Sequence, residues 1–132
     1  MIYYLDTSAA MKLLVEEAES AALAGYFETF DHNDSSEIVA SWLLHTELHC
    51  AAQRHPSDVD RDSVAALLDA VSLVDLTRGD LLTAGAMPGR LRSHDAVHLA
   101  VALRLPVDQL ITYDVELSRA ATVAGLIVTS PA

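Results

Sequence analysis

The chain has 132 residues, 52% of them hydrophobic, with only five glycines and four prolines, which excludes general disorder. Its length suits one domain with a buried core, so we expect residues 1–132 to form a single domain rather than two. Eight basic and 19 acidic residues give a formal net charge of −11 at pH 7, so any polyanion must meet a local basic patch or a bound metal cation.

Helix and strand signals alternate along the chain. Short apolar runs predict strands at 2–5, 37–40, 71–76, 110–112 and 126–129. The stretches between them predict helices at 9–17, 18–30, 41–55, 59–69, 77–87, 93–105 and 115–124, with a turn at 31–35. Ser93 is typical of a helix N-cap, and Thr77 with Asp80 of a capping box. Strands separated by helices predict a three-layer α/β/α fold whose central parallel sheet has four or five strands.

Two aspartates follow predicted strands. Asp6 comes directly after the strand 2–5, and Asp114 follows the strand 110–112 by two residues. Ligands of open parallel sheets bind beyond the carboxyl ends of the strands, so both carboxylates are candidates for one site. The alternative is that each aspartate only caps the helix that follows it.

Two further carboxylates lie where a helix favours apolar residues. Glu47 lies on an apolar stripe of the helix 41–55, and a carboxylate that faces a core is costly unless it meets a cation. Asp95 begins the apolar run of the helix 93–105. The alternatives are a partly exposed or Arg-paired position for Glu47, and a favourable interaction of Asp95 with the helix dipole.

Together these four carboxylates predict a site for divalent cations, provided that they converge. Asp6, Glu47, Asp95 and Asp114 offer the oxygen ligands that Mg²⁺ or Mn²⁺ prefers. Without metal they would repel one another and raise at least one pKa. One or two such ions support phosphodiester hydrolysis by activating water and stabilising the leaving oxygen.

The motifs around these residues resemble those of a known family. In order they are Asp6-Thr7-Ser8-Ala9, Thr46-Glu47-Leu48, the run LRSHDAVHLA at 91–100 and Thr112-Tyr113-Asp114. They resemble the successive motifs of PIN-domain ribonucleases, most closely the VapC-type toxins of bacterial toxin–antitoxin pairs, and they span nearly the whole chain.

The resemblance implies a metal-dependent endoribonuclease that acts as the toxin of a type II toxin–antitoxin system. By matching motifs, the four carboxylates would be both the catalytic and the metal-binding residues, with Mg²⁺ or Mn²⁺ as cofactor. Thr7, Ser8 and Thr112 would support them through hydroxyl or backbone contacts. The resemblance also implies a cognate antitoxin whose basic C-terminal segment blocks the acidic site, an RNA substrate and a toxin homodimer.

Basic and histidine residues near the third motif have open interpretations. Arg90 and Arg92 precede Asp95 and are candidates for contacts to a substrate phosphate, with salt bridges on the acidic surface as the alternative. We expect His98, one turn after Asp95, to pack beside the core rather than to line the site.

Two other functions are weighed against the nuclease. A zinc-dependent hydrolase would use His45/His49 or His94/His98, which are paired at i, i+4 spacing, although neither pair has the HExxH pattern. A catalytically idle PIN-like module would only bind other proteins. Clustered carboxylates cost folding free energy and would serve no purpose in such a module.

The single cysteine, Cys50, excludes an internal disulfide, so we expect a cytoplasmic protein. The N-terminal residues lack the basic region of a secretory signal. The longest apolar runs are far shorter than the roughly 18 residues of a membrane span, so we expect no membrane partner.

Overall fold

The computed structural model describes residues 1–30 and 35–132, so the turn predicted at 31–35 lies, except for its last residue, outside the described residues. Helices and strands alternate as predicted. In chain order they are β1 (Ile2–Leu5), α1 (Thr7–Leu14), α2 (Ser20–Glu28), β2 (Glu37–Ser41), α3 (Trp42–Arg54), α4 (Arg61–Asp69), β3 (Ser72–Val74), α5 (Arg78–Gly85), α6 (Ser93–Arg104), β4 (Gln109–Ile111), α7 (Val115–Val123) and β5 (Ile127–Thr129). None of the helices in these two ranges is long and apolar enough to cross a membrane.

The strands form a parallel sheet in the order β3-β2-β1-β4-β5. Tyr3 of β1 pairs with Ile38 of β2 on one side and with Gln109 of β4 on the other. The predicted parallel sheet is therefore confirmed, with five strands. Because β1 and β4 are neighbours at its centre, the segments that follow them leave the same edge side by side.

Helices pack on both faces of the sheet, which confirms the three layers. Successive strand residues point to opposite faces. Tyr3 and Leu5 therefore join an apolar core with α1, α2, α3 and α4, whereas Tyr4 joins a second core with α6 and α7. The alternation within β1 thus fixes which helices lie on each face.

The first two helices are shorter than predicted because a side chain closes a turn between them. The Ser20 hydroxyl accepts a hydrogen bond from the Glu17 N–H (2.9 Å) and donates one to the Val15 carbonyl (3.1 Å). As a result α1 ends at Leu14 rather than at residue 17, and α2 begins at Ser20 rather than at residue 18. The composition of this segment favours helix, but the local hydrogen bonds stabilise a turn.

Two later elements also begin or end inside their predicted ranges. Asp60 caps α4 by accepting the Ser63 N–H at 3.0 Å, so the helix begins at Arg61 rather than at residue 59. The third strand covers only Ser72–Val74 of the predicted 71–76, because it lies at the sheet edge and pairs with β2 alone.

The predicted capping box is present at the start of α5. An ion pair of the same Asp80 joins α5 to α6. Asp80 is buried, and its carboxylate accepts hydrogen bonds from Arg104 Nε (2.8 Å) and Nη2 (2.9 Å). The Arg104 guanidinium thereby holds the pKa of Asp80 below its usual value. This bidentate contact joins α5 to α6, the helix that contains most of the 91–100 motif.

We expect Arg104→Met to lower the free energy of unfolding by about 1–3 kcal/mol, because the Asp80 carboxylate stays buried without its cation. Urea denaturation followed by circular dichroism measures this change. The control is Arg78→Met, which removes an exposed cation from α5 and should change the stability by less than about 0.5 kcal/mol. Equal stability of the two variants would contradict the role assigned to the ion pair.

Candidate active site

The candidate site lies where the two central strands end. The Asp6 N–H donates to the Ile111 carbonyl at 3.3 Å, which ties the residue after β1 to the last residue of β4. The Ser8 hydroxyl oxygen accepts the Tyr113 N–H at 2.9 Å, so the first turn of α1 is joined to the segment that follows β4. The first and fourth motifs are thus brought together at one edge of the sheet.

Asp6 is buried and surrounded by hydrogen-bond donors. Its Oδ1 accepts the Ala9 N–H at 2.9 Å and the Ser8 hydroxyl at 2.8 Å, so it also caps α1. Its Oδ2 accepts the Thr112 hydroxyl at 2.5 Å. Burial raises the pKa of Asp6 above its usual value, and the hydrogen bonds from Thr112, Ala9 and Ser8 oppose that rise only in part. Both predicted roles of Asp6, cap and site residue, are thus compatible.

We expect Thr112→Val to lower the free energy of unfolding by about 1–3 kcal/mol, because the buried Asp6 carboxylate loses a hydrogen-bond donor while the side-chain volume hardly changes. Thermal and urea unfolding measure the loss. Thr122→Val is the matched control, since the Thr122 hydroxyl is exposed and donates only to the Ser118 carbonyl within α7. If both variants unfold alike, the Thr112 contact contributes nothing specific.

Glu47 reaches the site from α3 and meets a histidine instead of an arginine. Its Oε1 accepts the Thr7 hydroxyl at 2.8 Å and lies 2.7 Å from His98 Nε2. Burial acts to raise the pKa of Glu47, but the hydrogen bond of His98, the charge of that ring when it is protonated and the Thr7 hydrogen bond outweigh it and bring the pKa below its usual value. The second motif is thereby connected to the first and the third.

Asp95 is the buried carboxylate of the third motif. It lies in the first turn of α6 and is 6% exposed, and its Oδ1 is 3.4 Å from His94 Nε2. Burial raises its pKa, and the charges of Asp114 and Glu47 add to that rise while His94 and His98 oppose it. Asp95 is therefore close enough to two other carboxylates to be repelled by them.

Asp114 is half-buried at the end of the fourth motif. Its Oδ1 accepts the Leu117 N–H at 2.8 Å, which caps α7, and its own N–H donates to the Thr112 hydroxyl oxygen at 3.1 Å. The helix-cap alternative is thus observed for both strand-end aspartates. It does not exclude a site, because the Asp114 charge also acts on Asp95.

The chemistry of this donor set fits a hard divalent cation. Neither lysine nor arginine forms an ion pair with any of the four carboxylates in the described part of the chain. A divalent cation would offset the burial and the repulsion by Asp114 and Glu47 that raise the pKa of Asp95. As the side chains stand, no three His, Cys, Asp or Glu groups of the described residues form a metal-binding cluster. Binding therefore requires the carboxylates to turn toward a shared ion.

His98 is buried beside the core, as expected, and it also contacts two predicted site residues. It is fully buried, and its Nε2 lies 2.7 Å from Glu47 Oε1 and 3.1 Å from Thr7 Oγ1. The available signal was a histidine within an apolar helix face, which is costly to bury without a polar partner. The partners are 51 and 91 residues away along the chain, so spacing alone did not indicate them.

Arg90 and Arg92 are exposed at the start of the third motif, to which Arg92 belongs. Arg92 immediately precedes α6, whose first residue is Ser93; Ser93 was predicted as the cap and is instead the first helical residue. Neither arginine forms an ion pair among residues 1–30 and 35–132. The salt-bridge alternative is therefore not observed there, and both guanidinium groups stay accessible to a ligand.

The histidine pairs do not form a zinc site. His45 and His49 lie side by side on α3 with ring centroids 4.5 Å apart. A catalytic zinc site needs three protein ligands, and no third ligating side chain of the described residues joins this pair. In the other pair, His94 faces Asp95 and His98 faces Glu47. Neither pair therefore has the ligands of a catalytic zinc site in the described part of the chain.

Comparison with known proteins gives a family match over most of the chain. A family model described as PIN domain matches residues 3–123. The chain is 37% identical to ribonuclease VapC46 of Mycobacterium tuberculosis over 134 aligned residues, which cover 97% of this chain and 96% of that protein.

Solved structures share the fold. VapBC-1 from nontypeable Haemophilus influenzae superposes with a TM-score of 0.73 and 20% identity, covering 98% of both chains. VapC20 of Mycobacterium tuberculosis, a sarcin–ricin loop cleaving toxin, superposes with a TM-score of 0.73 and 17% identity over 98% of this chain and 99% of that one. At these identities the likeness concerns the fold alone.

Proposed function

The chain belongs to the PIN-domain family, and from this membership we propose that it is an endoribonuclease that acts as the toxin of a toxin–antitoxin pair. The observation that carries the proposal is the 37% identity to a ribonuclease over 97% of the chain. The convergence of the four motifs at one edge of the sheet supports it. The nuclease unit in this proposal is the whole chain, residues 1–132.

The proposed cofactor is Mg²⁺ or Mn²⁺, as one or two ions held by the four carboxylates, Asp6, Glu47, Asp95 and Asp114. When bound, such an ion supplies charge stabilisation to the phosphodiester and lowers the pKa of water toward neutrality. The donor set supports this choice, since it consists of carboxylate oxygens and the charges of Asp114 and Glu47 act against the charge of Asp95.

Three hydroxyl groups orient two of the carboxylates. Thr7 donates to Glu47, and Ser8 and Thr112 donate to Asp6, so each hydroxyl fixes a carboxylate without adding charge. In the proposed hydrolysis the water oxygen bonds to phosphorus, the bond from phosphorus to the 3′-oxygen breaks, and that oxygen takes up a proton. The products are a 3′-hydroxyl and a 5′-phosphate.

RNA binding must overcome the net charge of −11. We assign this role to the cations at the site together with Arg90 and Arg92, which are exposed and unpaired in the described residues. Arginine suits a phosphate contact because its guanidinium donates two parallel hydrogen bonds. The remaining acidic surface repels RNA and favours a basic protein.

The proposed protein partner is a cognate antitoxin whose basic C-terminal segment covers the four carboxylates. Opposite charge on the two surfaces accelerates their association. The basic segment would then compete with RNA for the same site. We also propose that the toxin is a homodimer and acts in the cytoplasm, in keeping with a single cysteine that makes no disulfide.

An RNA cleavage assay tests the proposal. The protein is purified away from its antitoxin and incubated with total RNA in Mg²⁺, in Mn²⁺ or in excess chelator, and the new ends are mapped. We expect cleavage with either ion, none in chelator, and 5′-phosphate ends. Undiminished cleavage in chelator, or cyclic phosphate ends, would refute the metal-dependent mechanism. Absence of cleavage under all conditions would favour the idle interaction module.

A further inference from the structure

A path of hydrogen bonds runs through the interior behind Glu47. The Ser41 N–H donates to the Tyr4 hydroxyl oxygen at 3.1 Å, and that hydroxyl lies 2.7 Å from His98 Nδ1. On the other side of the ring, His98 Nε2 lies 2.7 Å from Glu47 Oε1. Ser41, Tyr4 and His98 are all buried, so solvent does not interrupt the path.

The donor and acceptor pattern assigns the proton of the His98 ring. A carboxylate only accepts, so His98 Nε2 is the nitrogen that donates to Glu47. The phenolic proton of Tyr4, whose oxygen accepts the Ser41 N–H, is then the one available for the contact with His98 Nδ1. A nitrogen that accepts a hydrogen bond carries no proton. The ring proton of a neutral imidazole then lies on Nε2, where it faces the Glu47 carboxylate.

The same carboxylate oxygen receives two donors. Glu47 Oε1 accepts from His98 Nε2 at 2.7 Å and from the Thr7 hydroxyl at 2.8 Å, whereas Oε2 forms no hydrogen bond with the described residues. Because the donors converge on one oxygen, they fix the rotation of the carboxyl group about its bond to the side chain. The oxygen left over is the one free to bind a cation.

Packing alone does not account for a histidine at this position. The Tyr4 and His98 rings meet at 72° with centroids 5.7 Å apart, a contact that an apolar side chain would also make. Burying an imidazole costs free energy unless both nitrogens find partners. Here both do, and one of the partners is a proposed site residue.

We propose that His98 is a positioning residue, which Tyr4 holds with its proton on Nε2 so that it fixes Glu47 Oε1 and leaves Oε2 to bind the divalent ion. This inference rests on the proposed function, because it assigns a role toward the cation that the four carboxylates would hold. It extends the site by Tyr4 and Ser41, which none of the four motifs contains. Histidine–carboxylate pairs of this kind orient metal ligands in other proteins.

Nitrogen NMR of histidine in the metal-free protein tests the proton assignment. The His98 resonances, identified by their loss in His98→Gln, should show a protonated Nε2 and an unprotonated Nδ1 at neutral pH. In Tyr4→Phe, which keeps the ring volume, the preference for Nε2 should weaken. A proton on Nδ1 in the wild-type protein would overturn the proposal.

Binding of Mn²⁺ tests the consequence for Glu47. His98→Leu removes both ring nitrogens, whereas the glutamine of His98→Gln keeps an N–H that reaches toward Glu47. We expect His98→Leu to weaken Mn²⁺ binding by about 10- to 100-fold, and His98→Gln to recover part of this loss. Electron paramagnetic resonance of free Mn²⁺ measures both affinities. His55→Gln, an exposed histidine at the end of α3, is the control and should bind as the wild type does.

Glu47→Gln and His98→Leu together distinguish an error in the positioning role from an error in the proposed function. If Glu47→Gln leaves Mn²⁺ affinity and RNA cleavage unchanged, the four-carboxylate site itself is wrong. If Glu47→Gln loses both while His98→Leu binds Mn²⁺ like the wild type, only the positioning role is wrong. Should His98→Leu not fold, Tyr4→Phe and His98→Gln decide, and wild-type Mn²⁺ affinity in both would refute the proposal.

Discussion

Replacing Asp95 by asparagine is expected to slow RNA cleavage by about 10³-fold while the protein stays folded, because the transition state loses electrostatic stabilisation. The substitution keeps size and shape and removes one charge from a group of three carboxylates that interact through space. The rate is measured on a defined RNA at saturating Mg²⁺, and folding by circular dichroism. This loss is the largest effect that we predict for a single substitution.

The control for Asp95→Asn is Asp69→Asn, which removes an exposed charge at the end of α4. It should cleave at the wild-type rate, which excludes an effect of net charge on RNA binding. Cleavage by Asp95→Asn within a few-fold of the wild-type rate would contradict the assignment of this residue.

The second large effect is that divalent metal should reverse the order of stability of the wild-type protein and Asp95→Asn. Without metal, burial and the Asp114 charge make a charged Asp95 unfavourable in the fold, so the variant should unfold at the higher temperature at pH 7. With Mg²⁺ or Mn²⁺ at 100 times its dissociation constant, the wild type should gain about 2.7 kcal/mol, and the variant much less. Thermal unfolding of the wild type and of Asp95→Asn, in chelator and in metal, measures which protein is more stable under each condition.

The pKa of Asp95 determines how the difference in stability between the metal-free wild type and Asp95→Asn changes with pH. Asp95 has a raised pKa in the fold, so between its usual value of 3.8 and its folded value the native state holds more protons than the unfolded state. The stability of the metal-free wild type therefore falls, relative to Asp95→Asn, as pH rises through this window. Below pH 3.8 the carboxyl is neutral in both states and the two proteins should differ little.

Groups with lowered pKa act in the opposite direction. Glu47 and Asp80 stabilise the fold above their usual pKa and lose this contribution as pH falls through their folded pKa. Both groups are present in the wild type and in Asp95→Asn, so their contributions to stability largely cancel when these two proteins are compared. A metal-free wild type that is more stable than Asp95→Asn at pH 7 would contradict the raised pKa, and no gain on adding metal would contradict the site.

Local sequence patterns predicted the elements and the candidate carboxylates because both depend on short-range physical rules. Asp6 and Asp114 were found by their positions after apolar runs, and Glu47 by its place on an apolar stripe. The strand order was not predictable in this way. Whether β1 pairs with β4 is decided by contacts across more than 100 residues, yet this pairing is what brings Asp6 next to Thr112.

The parts that sequence reasoning missed depend on long-range partners or on competing local hydrogen bonds. The partners of His98, Tyr4 and Glu47, lie 94 and 51 residues away and were not evident from helical periodicity. The end of α1 was misplaced because Ser20 closes a turn in a segment of helix-favouring composition. In both cases a specific hydrogen bond outweighed a statistical preference.

Anomalous diffraction from crystals soaked in Mn²⁺ tests the central claim most directly, because it locates the ion without reference to activity. We predict an anomalous peak at the carboxyl ends of β1 and β4, in contact with oxygen atoms of the four carboxylates, and its loss in crystals of Asp95→Asn. A strong peak elsewhere, such as beside His45 and His49, with none at the four carboxylates would contradict the account.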